Sequence, residues 1–340
     1  MKEKIREAIG RCLKKNKKIA IYPFGVYGKM VKEILNQEFG LQECCIVDNY
    51  CADREVQCIT EIDTDQVNDY CWLIACVNDA VFTEIVKSLD ELGVDRRNIE
   101  DVFGDEHYYH LYAPAFMLYD AARQGITLAQ YYENHYNALG VKSDTVMDKV
   151  ADAINLPGGG NICEIGPGSG RLLVKLMEKF KPKKYEFYEI EKKLAEYVEG
   201  TYQYPGCQLI RKEADGESLK ETEDESQDLV FASNIFSLIS YANTYQYFLE
   251  MMRVCKRGGY IVFDAHTEDA LAESALNNGQ NPVNTWRITP QIIIENIFAQ
   301  RKMKLIGKFK NLMVAGIGAD NRKVGNIVET WYIYKKGDIG

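Results

Sequence analysis

Residues 157–180 read PGGGNICEIGPGSGRLLVKLMEKF, and the order of their parts decides the fold. A turn of small residues (Pro157 to Gly160) leads into a short apolar run ending at Glu164 and Ile165. Three glycines follow at positions 166, 168 and 170, then a stretch with apolar residues at helical spacing. That is strand, tight loop, helix, the opening unit of an α/β domain. Glycine permits positive φ and has no Cβ, so the loop can turn sharply and let a ligand approach its backbone. The helix after it points free N–H groups and the positive end of its dipole at that ligand. A dinucleotide fingerprint would run G-x-G-x-x-G, whereas Gly170 arrives one residue early. Glu164, just ahead of the loop, would repel a pyrophosphate and suits a ligand carrying an ammonium or sulfonium.

Later landmarks arrive in order. KYEFYEI (184–190) reads as a buried strand with Glu189 at its end, 25 residues past Glu164. An acid about 20 residues on takes ribose hydroxyls in a nucleotide-binding βαβ unit. CQLI is strand-like and precedes Asp215 in EADGESL. QDLVFASNIFSLIS gives a fourth strand, with Asp228 at its start and Ser233-Asn234 at its end. VCKRGGYIVFDAH reads as a helix end, a Gly-Gly turn and a fifth strand. Singly, Glu164, Glu189 and Asp215 read equally well as solvated strand ends, and Cys163 as interior packing.

Together these motifs resemble those of class I S-adenosylmethionine (SAM)-dependent methyltransferases, over roughly residues 125–340. The pieces ITPQIIIENIFAQRKMKLIGKFK and NIVETWYIYKK fit the last helix and strands. The resemblance implies a seven-stranded, mostly parallel sheet with SAM as donor and S-adenosylhomocysteine as product. It also implies a donor site from Glu164, Gly166, Gly168, Gly170, Glu189, Asp215, Ser233 and Asn234, with Asp215 against the adenine amino group.

At 340 residues the chain exceeds what one core usually serves. The expected division is a Rossmann-like unit at 1–105, a helical segment at 106–155 and the methyltransferase domain at 156–340. No apolar run approaches the ~20 residues of a membrane span, and the basic N-terminus reads as an amphipathic helix rather than a signal peptide. A net charge of −9 disfavours nucleic acid as partner. Seven of ten cysteines lie in the first 76 residues without metal-ligand spacing. They are expected to be buried free thiols of a cytoplasmic protein, not a disulfide framework.

Residues 1–105 repeat an α/β rhythm: KKIAIYPFGVYGKMVKEIL is strand, turn, helix, and CCIVDNY is a strand ending at Asp48. This resembles the small N-terminal domains of nucleotide-sugar-modifying enzymes, which would place a nucleotide or sugar near Gly25, Gly28 and Asp48. Pro23 stands where such turns carry their first glycine, and it can neither take positive φ nor donate an N–H. A degenerate domain kept for dimerisation or positioning is the other reading.

The tyrosine-rich segment 106–155 has helical periodicity. Tyr131, Tyr132 and His135 are candidates to line the substrate cleft or face a sulfonium through cation–π attraction, and otherwise pack helices together. His107 and His110 sit three apart and are not read as a metal pair.

Methyl transfer is an in-line displacement, so the protein's task is orientation, plus a base if a hydroxyl is the acceptor. His266, just past the fifth strand, is the candidate base. Asp264, Glu268 and Asp269 flank it and offer oxygen ligands of the kind Mg²⁺ takes. Trp286 and Arg287, in a stretch rich in Asn and Gln, are candidate substrate contacts suited to a sugar. The reading is a SAM-dependent methyltransferase acting on a sugar or nucleotide-sugar of bacterial surface polysaccharide, with a homodimer as a candidate assembly. A methyltransferase for another small metabolite and a binding protein without catalysis stay open.

Overall fold

The 157–180 stretch folds as its pattern dictates, and the chain also holds a second, smaller sheet. The structure is a computed structural model that describes residues 2–41, 44–49, 56–76, 79–103, 114–138, 143–270, 288–317 and 323–337. The chain divides into two compact units, Met1–Gln124 and Gly125–Gly340.

The first unit runs α1 (Lys2–Lys14), β1 (Lys18–Tyr22), α2 (Val26–Glu38), β2 (Cys45–Ile46), β3 (Tyr70–Ile74), α3 (Asp79–Glu91), β4 (Ile99–Asp101) and α4 (Pro114–Arg123). Its four strands are parallel in the order β2-β1-β3-β4. Parallel strands are covered on both faces, so β1 and β3 are apolar on both. Ile19, Ile21, Cys71 and Leu73 pack against α1 and α2, while Ala20, Trp72 and Ile74 pack against α3. The free-thiol expectation fails at two positions: Cys12 and Cys71 are joined in a disulfide with Cα atoms 5.6 Å apart. Helix α1 lies on β3, and that contact brings together two cysteines far apart in sequence, within bridging range. Cys163 and Cys255 are free and buried, and Cys44, Cys45, Cys58, Cys76 and Cys207 are free and partly exposed. Cys51 lies outside the described residues.

The second unit runs α5 (Leu128–Ala138), α6 (Ser143–Ala153), β5 (Asn161–Ile165), α7 (Arg171–Phe180), β6 (Lys184–Tyr188), α8 (Lys192–Thr201), β7 (Gln208–Lys212), β8 (Gln227–Ala232), α9 (Tyr241–Val254), β9 (Cys255–Ala265), α10 (Gln291–Gln300), β10 (Met303–Ile317) and β11 (Lys323–Lys336). The seven strands lie in the order β10-β11-β9-β8-β5-β6-β7, and β11 is antiparallel to both neighbours. Period-two alternation divides β5 between two layers. Ile162 faces Val146 and Met147 of α6 and Leu172, Leu173 and Leu176 of α7. Cys163 and Ile165 face Phe248 and Met251 of α9 and Ile294 and Phe298 of α10. Each buried Leu or Phe contributes roughly 2 kcal/mol of gross burial, opposed by the entropy of ordering it. The expected Gly-Gly turn before the fifth strand lies inside β9, where Gly258 has φ +73° and the register with β8 shifts.

Because β5, β6, β8 and β9 are parallel, their C-terminal ends lie along one edge, where ligands of open α/β sheets bind. β11 runs the other way, so its residues near Thr330, paired with Ala265, reach that same edge. No helix among the described residues is long and apolar enough to cross a membrane.

Candidate functional site

The three loop glycines all have positive φ, +66° at Gly166, +54° at Gly168 and +77° at Gly170, but for different reasons. A Cβ on Gly166 would lie 2.2 Å from Ile235 Cδ1, and one on Gly170 would lie 2.2 Å from the Tyr202 ring. Those two glycines make room for protein. A Cβ on Gly168 would meet nothing within 4 Å, so its backbone faces open space. The Gly168 N–H donates to Glu189 Oε2 at 2.9 Å, and Glu189 Oε1 accepts from the Glu191 amide. Burial pushes the Glu189 carboxyl up, and these amides work against that. Ile190, next along, is 71% exposed, an apolar surface beside the loop's carboxylate. The early third glycine thus has a packing cause: Tyr202 crosses the chain at Gly170.

Glu164 does not present a charge to the loop. Its side chain is buried in the sheet and accepts a 2.6 Å hydrogen bond from Tyr185 on β6. Burial pushes its carboxyl up to about 8, aided by the Glu189 charge and opposed by the Tyr185 bond, so it is mostly neutral at pH 7. The strand parity that puts Ile162 in the core puts Glu164 there as well, which sequence spacing shows but residue type hides.

Asp215 follows β7 and is held by its own loop. Its Oδ1 accepts from the Glu217 and Ser218 amides and its Oδ2 from the Ser218 hydroxyl at 2.6 Å. Partial burial opposes ionisation, but these donors outweigh it and hold the carboxyl at about 2. At the end of β8, Asn234 has φ +58°, a conformation asparagine tolerates. Its N–H donates to Asp264 Oδ1 at 2.8 Å, and Ser233 hydrogen-bonds the same carboxyl. Asn234 Oδ1 is buried without a hydrogen-bond partner among the described residues.

His266 is not an open base at a cleft rim. It is 1% exposed, and burial pushes its imidazole down to about 4, so it is neutral and weakly basic. The groups pushed toward neutrality are two carboxyls beside it in the sheet. Burial raises Asp264 against its hydrogen bonds; burial and the Asp264 charge raise Glu329, which accepts from Asn311 Nδ2 at 3.1 Å. The Arg171 guanidinium, at the start of α7, lowers both and also donates to Ser143 Oγ. Glu329 and Arg171 have no sequence signature. Glu329 comes into play only because β11 is antiparallel.

Asp264, Glu268 and Asp269 do not converge: Asp264 faces Asn234, Glu268 accepts from the Gln291 amide, and Asp269 accepts from the Gln291 side chain. Among the described residues no three acidic, histidine or cysteine side chains could hold a metal together, so the Mg²⁺ suggestion has no site there. Tyr131 and Tyr132 lie near the start of α5 with rings edge to face at 6.4 Å. The side chain of His135 lies outside the described residues, as do Trp286, Arg287, His107 and His110.

In the first unit two of the three candidate ligand residues, Gly28 and Asp48, are engaged by the fold. A Cβ on Gly28 would lie 2.2 Å from the Pro23 carbonyl oxygen, so this glycine lets α2 close on the turn. Asp48 Oδ2 accepts from the Phe24 N–H at 2.9 Å, and Asn49 binds the Tyr22 hydroxyl and the Ile59 amide. Gly25 caps α2 without crowding.

Residues 163–263 match the methyltransferase domain family. The matched span runs from inside β5 to inside β9 and includes the glycine loop, Glu189, Asp215, Ser233 and Asn234. No curated protein sequence matches the chain. Solved structures similar to it include YcgJ of Bacillus subtilis (15% identity, 57% of this chain and 100% of that one, TM-score 0.44). A SAM-dependent methyltransferase of Methanosarcina mazei is 14% identical over 55% of this chain and 96% of that one, with TM-score 0.41. Another, from Anabaena variabilis, is 12% identical over 62% and 96%, with TM-score 0.44. At TM-scores this low these likenesses carry no argument about activity.

Proposed function

We propose that the second unit binds S-adenosylmethionine at the loop 166–170 and transfers its methyl group to a hydroxyl of a sugar or nucleotide-sugar. The observation that carries the donor reading is Gly168, open to solvent at positive φ beside Glu189, within a span matching the methyltransferase domain family. The orphaned Asn234 Oδ1 fits a ligand that brings a hydrogen-bond donor. Gly166, Gly168, Gly170, Glu189, Asp215, Ser233 and Asn234 would hold the donor, with Ile190 offering an apolar face. When bound, the donor supplies an electrophilic methyl on a sulfonium whose leaving thioether is neutral.

The chain's own contribution is to orient the acceptor and take its proton. The titratable groups near that edge, Asp264 and Glu329 with His266, are all buried, and the acceptor's proton would go to one of them. The sugar assignment rests on the first unit's resemblance to nucleotide-sugar enzymes and on the polar stretch containing Trp286 and Arg287.

Calorimetric titration with SAM and S-adenosylhomocysteine tests the donor reading. Binding of both is expected, and binding of neither overturns it. A panel of nucleotide sugars assayed with radiolabelled SAM tests the acceptor, where methylation of a non-sugar metabolite alone would replace the sugar reading.

A further inference from the structure

The start of helix α5 is satisfied in an unusual way. Thr127 and Gln130 form a reciprocal capping box: the Gln130 amide donates to Thr127 Oγ1, and the Thr127 amide donates to Gln130 Oε1. The Tyr131 amide donates to the Thr127 carbonyl. The two remaining free amides of the first turn find tyrosine hydroxyls from a distant element. Leu128 N donates to Tyr197 Oη at 2.8 Å, and Ala129 N donates to Tyr202 Oη at 3.0 Å.

Tyr197 and Tyr202 stand at the end of α8 with rings edge to face at 5.9 Å. Only Tyr202 continues into the glycine loop. Its hydroxyl donates to the Ser169 carbonyl at 2.7 Å, and its ring occupies the space that a Cβ on Gly170 would need. One hydroxyl therefore accepts from α5 and donates to the loop, and both partner residues are buried. Tyr197 has no hydrogen bond to the loop among the described residues.

We propose that Tyr202 is a positioning residue that ties the 166–170 loop to the first turn of α5, so that donor occupancy of the loop is transmitted to residues 126–134, which include Tyr131 and Tyr132. This rests on the donor reading above and adds to it the element through which an occupied loop orders the helix. Coupling of this kind is reciprocal, so loss of the tie weakens donor binding as well.

Hydrogen exchange on the full chain, with and without S-adenosylhomocysteine, tests the tie in wild type, Tyr202→Phe and Tyr197→Phe. In wild type the ligand should slow exchange in both 164–172 and 126–134. Tyr202→Phe should keep the effect at 164–172, lose it at 126–134 and bind the ligand about five-fold more weakly. Tyr197→Phe removes an equivalent bond at the helix start but none to the loop, so it should keep the ligand effect at both segments. A merely structural role would make the two variants alike, which would overturn the proposal. A wild-type protein that binds the ligand while 126–134 stays silent would overturn it too, even if Tyr202→Phe fails to fold. Absence of any binding by wild type would instead remove the donor reading itself.

Discussion

The turn after β1 and the turn after β5 are built to one plan and end differently. In each, a buried parallel strand enters a glycine-containing turn, a helix follows, and an acid after a neighbouring strand accepts an amide from the turn at 2.9 Å. In the first unit that amide belongs to Phe24, whose side chain is in the core, and Gly28 closes on the Pro23 carbonyl. In the second unit the amide belongs to Gly168, which faces open space. The hydrogen-bonded amide therefore belongs to a core residue in one turn, with the uncrowded Gly25 beside it, and to an open glycine in the other. A strand-glycine-helix pattern with an acid downstream does not by itself say which backbone the acid holds. What matters is whether the glycine's missing side chain leaves room for a ligand or for protein.

Substitutions can break this contrast. The largest effect is expected for Gly168→Val, which fills the open side and strains a residue at positive φ. Affinity for S-adenosylhomocysteine should fall by about 100-fold or more, equivalent to about 2.7 kcal/mol. Gly25→Val in the first unit should leave that affinity unchanged, as calorimetry would show. Next, Glu189→Ala should weaken the same ligand by about ten-fold through loss of charge-assisted hydrogen bonds. Asp48→Ala should lower the melting temperature and leave the affinity alone.

Gly28→Ala should destabilise by about 1–3 kcal/mol, because its Cβ meets backbone and not a movable side chain. Chemical denaturation of the full chain would measure it.

A separate effect concerns pH. Glu164 has a folded pKa raised to about 8, above its ordinary value, so the folded state holds a proton that the unfolded chain has released. Its contribution is fully present below the unfolded pKa, near ~4.3, and is lost as pH rises toward about 8. Glu164→Gln should therefore be more favourable relative to wild type at pH 8 than at pH 5, read from paired thermal melts. An unchanged difference across that range would place the carboxyl in a wetter setting than the Tyr185 bond describes.

Much of the second unit was legible because its strands are short apolar runs at regular spacing and its loop is punctuated by glycine. The positions of Glu189 and Asp215 at strand ends followed from that pattern. Their hydrogen bonds did not, since each carboxyl is engaged by amides of its own neighbourhood. For Glu164 and His266 residue type suggests exposure, while strand parity and the covering layers bury both. The Cys12–Cys71 bridge was missed because it depends on how α1 lies across β3.

By itself the sequence determined the α/β class, the order of strands and helices in the second unit, and the glycine loop with acids downstream. Local periodicity and backbone permissiveness encode those features. Tertiary structure alone decided which loop glycine stays open, which acids are pushed toward neutrality, and that Glu329 and Arg171 stand near Asp264 while Tyr202 meets the glycine loop. Those depend on an antiparallel last strand and on side chains crossing between elements, contacts that no local pattern in the chain records.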